Sequence, residues 1–185
     1  MQGGRCLMDI FQLVKSYNKT WSIHETLAFM VCLTILACFL AYLVKQKKIS
    51  LSQMFFTLVL FDFLAIVYAS TVLTRVSTVR SYILMPFWSW QEVFVKHNNW
   101  LLLENLLNVL LLFPMGFLLP LALKKISSSQ AFLIGLGFSA LIEFSQLLFK
   151  RGLFEFDDMI HNSLGCLLGY LVMRCMLKLK KSFLG

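Results

Sequence analysis

Charged side chains are scarce in this sequence of 185 residues. Asp, Glu, Lys and Arg together make up 14% of it, whereas soluble domains contain about 25%. Hydrophobic residues reach 59% without glycine, and the mean hydropathy is +0.77. A soluble domain of this length could not bury so much apolar surface, so the composition excludes soluble, disordered and nucleic-acid-binding classes. The class that remains is a polytopic membrane protein.

Motifs for metal, disulfide and phosphate chemistry are also missing. None of the five cysteines forms a Cys-x-x-Cys pair, which argues against a disulfide framework and a zinc site. The sequence contains no His-Glu-x-x-His motif, no nucleophile elbow and no phosphate-binding glycine loop. We therefore predict no cofactor and no metal.

Long apolar runs are what the sequence does contain. Five of them, each of about 20–24 residues and so able to cross a ~30 Å hydrocarbon core, cover 25–44, 51–74, 100–123, 128–149 and 158–177. They predict an all-α integral membrane protein, a bundle of about five transmembrane helices. The predicted organisation is a tail or surface helix over 1–22, one additional transmembrane helix over 23–49, a four-helix unit over 50–178, and a basic tail over 179–185.

The distribution of Lys and Arg predicts the orientation. The loops on the C-terminal side hold nine of these residues within 22 positions, whereas those on the N-terminal side hold eight within 55. Cytoplasmic loops are enriched in Lys and Arg. We therefore expect the N-terminus outside and the C-terminus in the cytoplasm. All four tryptophans lie on the outer side, where they would form an interfacial belt.

Polar residues inside the spans concentrate in the outer half of the membrane. Ionisable side chains there are costly and indicate functional sites. Three predicted helices contribute them at helical spacing, and two arginines follow the second span. The predicted ligand-binding residues are Arg75, Arg80, Glu104, Asn108, Gln146, His161 and Asn162, with Glu143 and Asp158 as candidate catalytic carboxylates.

Alternative interpretations of these residues stay open at this point. The polar groups could simply pair across helices and fix their packing. Asp157 and His161, four residues apart, have a spacing that would permit a divalent metal with Glu143 or Asp158. Asp62 lies alone in the second span, where we expect it to contact a neighbouring helix.

Four sequence blocks resemble the VanZ-like family of bacterial membrane proteins. They are 71–75 followed by 85–87, then 108–120, then 143–146, and finally 152 with 156–165. One departure is visible before the last helix, where the family commonly has an arginine and an aspartate. Here Glu155 occupies the aspartate position, and Arg151 stands further upstream.

The resemblance implies a multi-pass protein of the bacterial cell membrane, with 50–178 as the VanZ-like unit. Its namesake is linked to resistance to teicoplanin, a lipoglycopeptide that binds cell-wall precursors outside the cell. We therefore expect membrane lipid, a lipid-linked cell-wall precursor or a lipoglycopeptide as partner, bound in an outward-facing polar pocket. The alternative is a membrane-embedded enzyme that modifies a lipid-linked substrate, with Glu143 and Asp158 as acid and base. The oligomeric state does not follow from the sequence.

Overall fold

The computed structural model describes residues 19–77 and 79–184. Within them, five helices are long and apolar enough to cross a membrane. This confirms the all-α membrane class. In chain order the helices are α1 (Ile23–Lys45), α2 (Leu51–Tyr68), the short α3 (Trp88–Lys96), α4 (Asn99–Ala122), α5 (Ser128–Phe149) and α6 (Phe156–Leu184).

Capping boxes start three of the spanning helices. Ser22, Ser50 and Ser127 each accept a hydrogen bond from the backbone N–H three residues later, where the side chain of a Glu or Gln reaches back. Such a pair satisfies two of the N–H groups that a helix start leaves unpaired. These polar positions therefore fix where each apolar run begins.

The end of α2 is irregular and is held by an arginine. The span continues beyond Tyr68 as a π-helical turn over Ala69–Leu73. Arg151 Nη1 donates hydrogen bonds to the carbonyls of Val72 and Leu73. Carbonyl groups at a helix end lack partners within the helix, so Arg151 closes the C-terminal end of this span. The sequence did not predict this role.

Glycines bring α4, α5 and α6 into close contact. A Cβ atom added to Gly165 would lie 1.8 Å from the Val109 carbonyl oxygen, and one added to Gly116 would lie 1.8 Å from that of Cys166. The backbones of α4 and α6 therefore approach as closely as small-residue motifs permit. The core beside this contact includes Leu112, Ile142 and Cys166, all at most 2% exposed.

By contrast, α1 packs only against one side of the bundle. Its main partner is α2, where the rings of Phe29 and Phe61 stack with centroids 6.1 Å apart. Much of its surface is exposed and apolar, including Leu27 and Ile35. This arrangement fits an additional helix that faces lipid beside the four other spans.

The long connection before α4 is folded. Strand β1 (Ser81–Ile83) pairs in parallel with β2 (Leu153–Glu155), the strand that precedes α6. Helix α3 follows β1 in the sequence. The sequence did not predict this structure, because three-residue strands and a nine-residue helix are too short to show a recognisable hydrophobic pattern.

The structure limits or corrects three predictions made from the sequence. Most of the predicted tail or surface helix over 1–22 lies outside the described residues. Residues 179–184 continue α6, although the sequence suggested a tail. Asp62 Oδ1 is buried and has no hydrogen-bond partner among the described residues, so the expected contact with a neighbouring helix is not a hydrogen bond through this oxygen.

Candidate ligand-binding site

Helices α4, α5 and α6 bring their polar residues together near the end of the bundle where α4 and α6 begin. Asn108 Nδ2 donates to Asp158 Oδ1 at 2.5 Å, which joins α4 to α6. Asn162 Nδ2 donates to Ser139 Oγ at 2.8 Å, which joins α6 to α5. We call the set formed by Arg75, Glu104, Asn108, Glu143, Gln146, Glu155, Asp158 and Asn162 the polar cluster.

The polar cluster runs from the surface into the bundle. Glu104 is exposed and accepts a hydrogen bond from Trp100 Nε1 at 3.0 Å. Asn108 and Asp158 are half-buried, whereas Glu143 and Asn162 are only 2% exposed. The polar cluster is therefore closely packed at its inner end, where an open pocket was predicted, and it reaches the protein surface at Glu104.

Arg75 and Gln146 meet at a glycine. A Cβ atom added to Gly152 would lie 3.0 Å from Gln146 Oε1 and 3.1 Å from Arg75 Nη1. Gln146 Nε2 donates to the Thr71 carbonyl at 3.0 Å, which ties α5 to the end of α2. The absence of a side chain at 152 thus leaves room for the guanidinium group beside the amide.

Carboxyl groups outnumber cationic groups in the polar cluster by four to one. Asp158 interacts electrostatically with Glu104, and Glu143 with Asp158. Among the described residues, the positive charge that acts on Asp158 and Glu143 is that of Arg75. The guanidinium forms no ion pair with a described carboxylate.

Glu155, which lies outside the spanning helices, is affected by the same excess of carboxyl groups. Burial, followed by the nearby carboxylates of Asp158, Glu104 and Asp157, raises the pKa of Glu155 to about 8. Its backbone N–H donates to Glu143 Oε2 at 3.0 Å. A carboxyl group in this state holds its proton near neutral pH, so it can donate a hydrogen bond as well as accept one.

Arg80 stands apart from the carboxylates. Its side chain is exposed, and Nε donates to the Leu147 carbonyl at 3.3 Å. This bond fastens residue 80 to the last turns of α5. The two arginines were predicted to act together, but the structure places only Arg75 beside the carboxylates of α5 and α6.

His161 is held by a tryptophan. Trp90 Nε1 donates to His161 Nε2 at 2.7 Å. Because an indole N–H can only donate, Nε2 is the unprotonated nitrogen, and the neutral ring carries its proton on Nδ1. His161 is 3% exposed. Its predicted role as a ligand-binding residue therefore rests on Nδ1 alone.

Asp157 holds the start of α3 against α6, a role that the sequence did not predict. It is 1% exposed and accepts hydrogen bonds from Phe87 N at 2.5 Å and from Ser89 N at 3.0 Å. Ser89 Oγ also donates to it, and Asn105 Nδ2 donates to Ser89 Oγ. Asp157 thus caps the start of α3 from another element. The one feature of the sequence that pointed to a capping role was the position of Asp157 at the start of α6.

The metal arrangement considered from the sequence does not form. Asp157 is directed to Ser89 and Phe87, and His161 to Trp90. Across residues 19–77 and 79–184, no three His, Cys, Asp or Glu side chains are grouped so as to hold a metal ion.

Two of the four buried side-chain atoms without a hydrogen-bond partner in the described part of the chain lie on adjacent residues of α6. His161 Nδ1 and Asn162 Oδ1 form no hydrogen bond with the described residues. Leaving a buried polar group unsatisfied costs about 1–3 kcal/mol. The first is a donor and the second an acceptor, so both are suited to bind a water molecule or a polar ligand.

The sequence comparisons agree with the arrangement of the spans. A family model described as VanZ/LLP1 matches residues 52–178, which include α4, α5 and most of α2 and α6. No curated protein and no solved structure matches the chain. The matched residues amount to more than half of the sequence, so the chain belongs to the VanZ/LLP1 family of membrane proteins.

Proposed function

We propose that this protein acts in the bacterial cell envelope, where its polar cluster binds the polar headgroup of an envelope lipid, a lipid-linked cell-wall precursor or a lipoglycopeptide. The observation that carries this proposal is that Arg75, which has no ion-pair partner among the described residues, lies beside the carboxyl groups of Glu143 on α5 and Asp158 on α6. Family membership supports a link to glycopeptide resistance, teicoplanin included.

The excess of carboxylates favours a ligand that brings positive charge or many hydrogen-bond donors. Arg75 would bind a phosphate or carboxylate group of the ligand. Glu104 and Asp158 would accept hydrogen bonds from its amine or hydroxyl groups. A headgroup that carries both an anionic and an amine group therefore fits better than a purely anionic one.

The proposed orientation places the polar cluster on the outer side of the membrane. The Lys and Arg density of the loops supports it, because cytoplasmic loops are enriched in these residues. A lipoglycopeptide or an outer-leaflet precursor would then reach Glu104 without crossing the membrane.

A binding experiment tests this function directly. Purified protein is titrated with phosphatidylethanolamine, phosphatidylglycerol or phosphatidylcholine, and bound lipid is counted by native mass spectrometry. We expect phosphatidylethanolamine to bind most tightly, because only its headgroup combines a phosphate with an N–H donor. Arg75→Gln should weaken binding, while Arg80→Gln, which alters an arginine held at the surface, should not. Equal binding of all three lipids, or an unaltered affinity in Arg75→Gln, would contradict the proposal.

The enzyme alternative is favoured by one observation. Glu143 and Asp158 interact electrostatically across α5 and α6, an arrangement in which one carboxyl group can hold a proton while the other is ionised. Such a pair could act as acid and base on a bound lipid-linked substrate. Incubation of the purified protein with labelled lipid and analysis of the products would separate catalysis from binding.

A further inference from the structure

Exposed apolar side chains lie on the segment that connects α2 to α4. Residues 81–96 contain β1 and α3. Within them, Met85 and Phe87 are each 59% exposed, Phe94 is 70% exposed and Val95 is 69% exposed. An exposed apolar surface of this kind is unfavourable in water, so something other than water must cover these side chains.

The depth of the segment identifies that environment. Trp90 reaches His161, which lies about 8 Å along α6 from its first residue at a rise of 1.5 Å per residue. Ser89 binds Asn105, about 9 Å along α4 from its start. The side of α3 that carries Ser89 and Trp90 therefore lies at the same depth as parts of α4 and α6 that are already inside the membrane.

The backbone of this segment is suited to such a position. Membrane interiors tolerate irregular backbone only where its polar groups are satisfied within the protein. Here β1 pairs with β2, and Asp157 accepts hydrogen bonds from the backbone N–H groups of Phe87 and Ser89. Trp88 and Trp90 lie on α3 itself, and tryptophan is enriched at membrane interfaces.

We propose that residues 81–96 are inserted into the interfacial region of the lipid leaflet on the N-terminal side, with Phe94 and Val95 in contact with lipid. The segment is then a membrane-embedded cap, fastened to α6 by Asp157 and His161. Its occupant is lipid, because the segment lies beside the spanning helices at their depth and its exposed apolar residues continue their lipid-facing surface. This inference does not depend on the ligand of the polar cluster.

Spin-label accessibility of the full chain in lipid nanodiscs tests the cap. In a background where Cys6, Cys32, Cys38 and Cys175 are replaced by serine and the fully buried Cys166 is kept, a nitroxide is attached to Phe94→Cys. Collision rates with oxygen, which concentrates in lipid, and with a water-soluble nickel chelate are then compared. Matched labels are Leu133→Cys, exposed on the spanning α5, and Lys124→Cys, exposed in the loop between α4 and α5.

We expect the ratio of oxygen to nickel collisions at position 94 to resemble that at 133 and to exceed that at 124 several-fold. A ratio at 94 equal to that at 124 would place the segment in water and overturn the proposal. Low collision rates with both reagents would show that protein covers Phe94, and this result would overturn it as well. Val95→Cys provides an independent second position for the same comparison.

Discussion

Asp157 accepts hydrogen bonds from both the backbone N–H and the hydroxyl of Ser89, 68 residues earlier in the chain. This relationship joins the first turn of α6 to the first turn of α3. It fixes the connection before α4 against the bundle, next to the polar cluster. A buried aspartate that is 1% exposed and accepts three hydrogen bonds is therefore a structural residue in this protein.

Removal of this carboxylate should destabilise the folded protein. Asp157→Ala leaves buried donors without an acceptor, at a cost of about 1–3 kcal/mol for each unsatisfied group. Asp157→Asn keeps one acceptor oxygen and should cost less. The measurement is the melting temperature of the detergent-solubilised protein. As a control, Glu92→Ala removes a carboxylate of the surface ion pair with Lys96 and should leave stability nearly unchanged. Equal melting temperatures for Asp157→Ala and Glu92→Ala would contradict this role.

Glycine substitutions distinguish a close helix contact from an open helix face. Gly165→Leu should lower the yield of folded protein strongly, because its Cβ would overlap the Val109 carbonyl at 1.8 Å. Gly137 also lies within a spanning helix, but no atom lies within 4 Å of an added Cβ there. Gly137→Leu should therefore be tolerated. Fluorescence-detected size-exclusion profiles of both variants test this, and a similar loss in both would refute the packing argument.

The spanning helices were predictable because each is a long apolar run that begins at a polar capping residue. The helical face shared by Asp158 and Asn162 likewise followed from spacing alone. The structure of 81–96 was not predictable, because its strand pairs with residues about 70 positions away and its helix is capped by Asp157. Spacing also could not show that His161 binds Trp90, or that Arg80 binds the carbonyl of Leu147.

The orientation is testable with two engineered cysteines. His97 is an exposed residue on the proposed outer side, and Lys125 is an exposed residue on the opposite side. In whole cells, an impermeant thiol reagent should label His97→Cys and not Lys125→Cys, each in a background without other accessible cysteines. Permeabilised cells should show labelling of both. The reverse pattern in intact cells would invert the orientation.

The stability of the folded protein should fall as the pH rises from about 4.5 to about 8, partly through Glu155. Its pKa is about 8 in the folded protein against 4.5 as the ordinary value, so the folded state keeps a proton that the unfolded chain has lost. This contribution is complete below about pH 4.5 and disappears as the pH rises through 8. Glu155→Gln, which stays neutral, should reduce the fall in melting temperature between about pH 6 and about pH 9. An identical pH profile in the variant and the parent protein would contradict the expected titration of Glu155.

The two buried carboxylates provide the sharpest test of function against packing. Glu143→Gln still offers an oxygen to the Glu155 N–H, and Asp158→Asn still offers one to Asn108. Both variants should therefore fold, but they lose the capacity to ionise and to exchange a proton. We expect both to abolish teicoplanin tolerance in a susceptible bacterial strain that expresses the parent protein and gains tolerance from it. Ser139→Ala, which removes the hydroxyl that binds Asn162, serves as a packing control within the same helix interface and should keep most of the tolerance. Tolerance is normalised to the amount of folded protein in the membrane. If both amide variants were fully active at normal levels, the carboxylates would serve packing alone, and neither charge-based binding nor acid–base catalysis at Glu143 and Asp158 could stand.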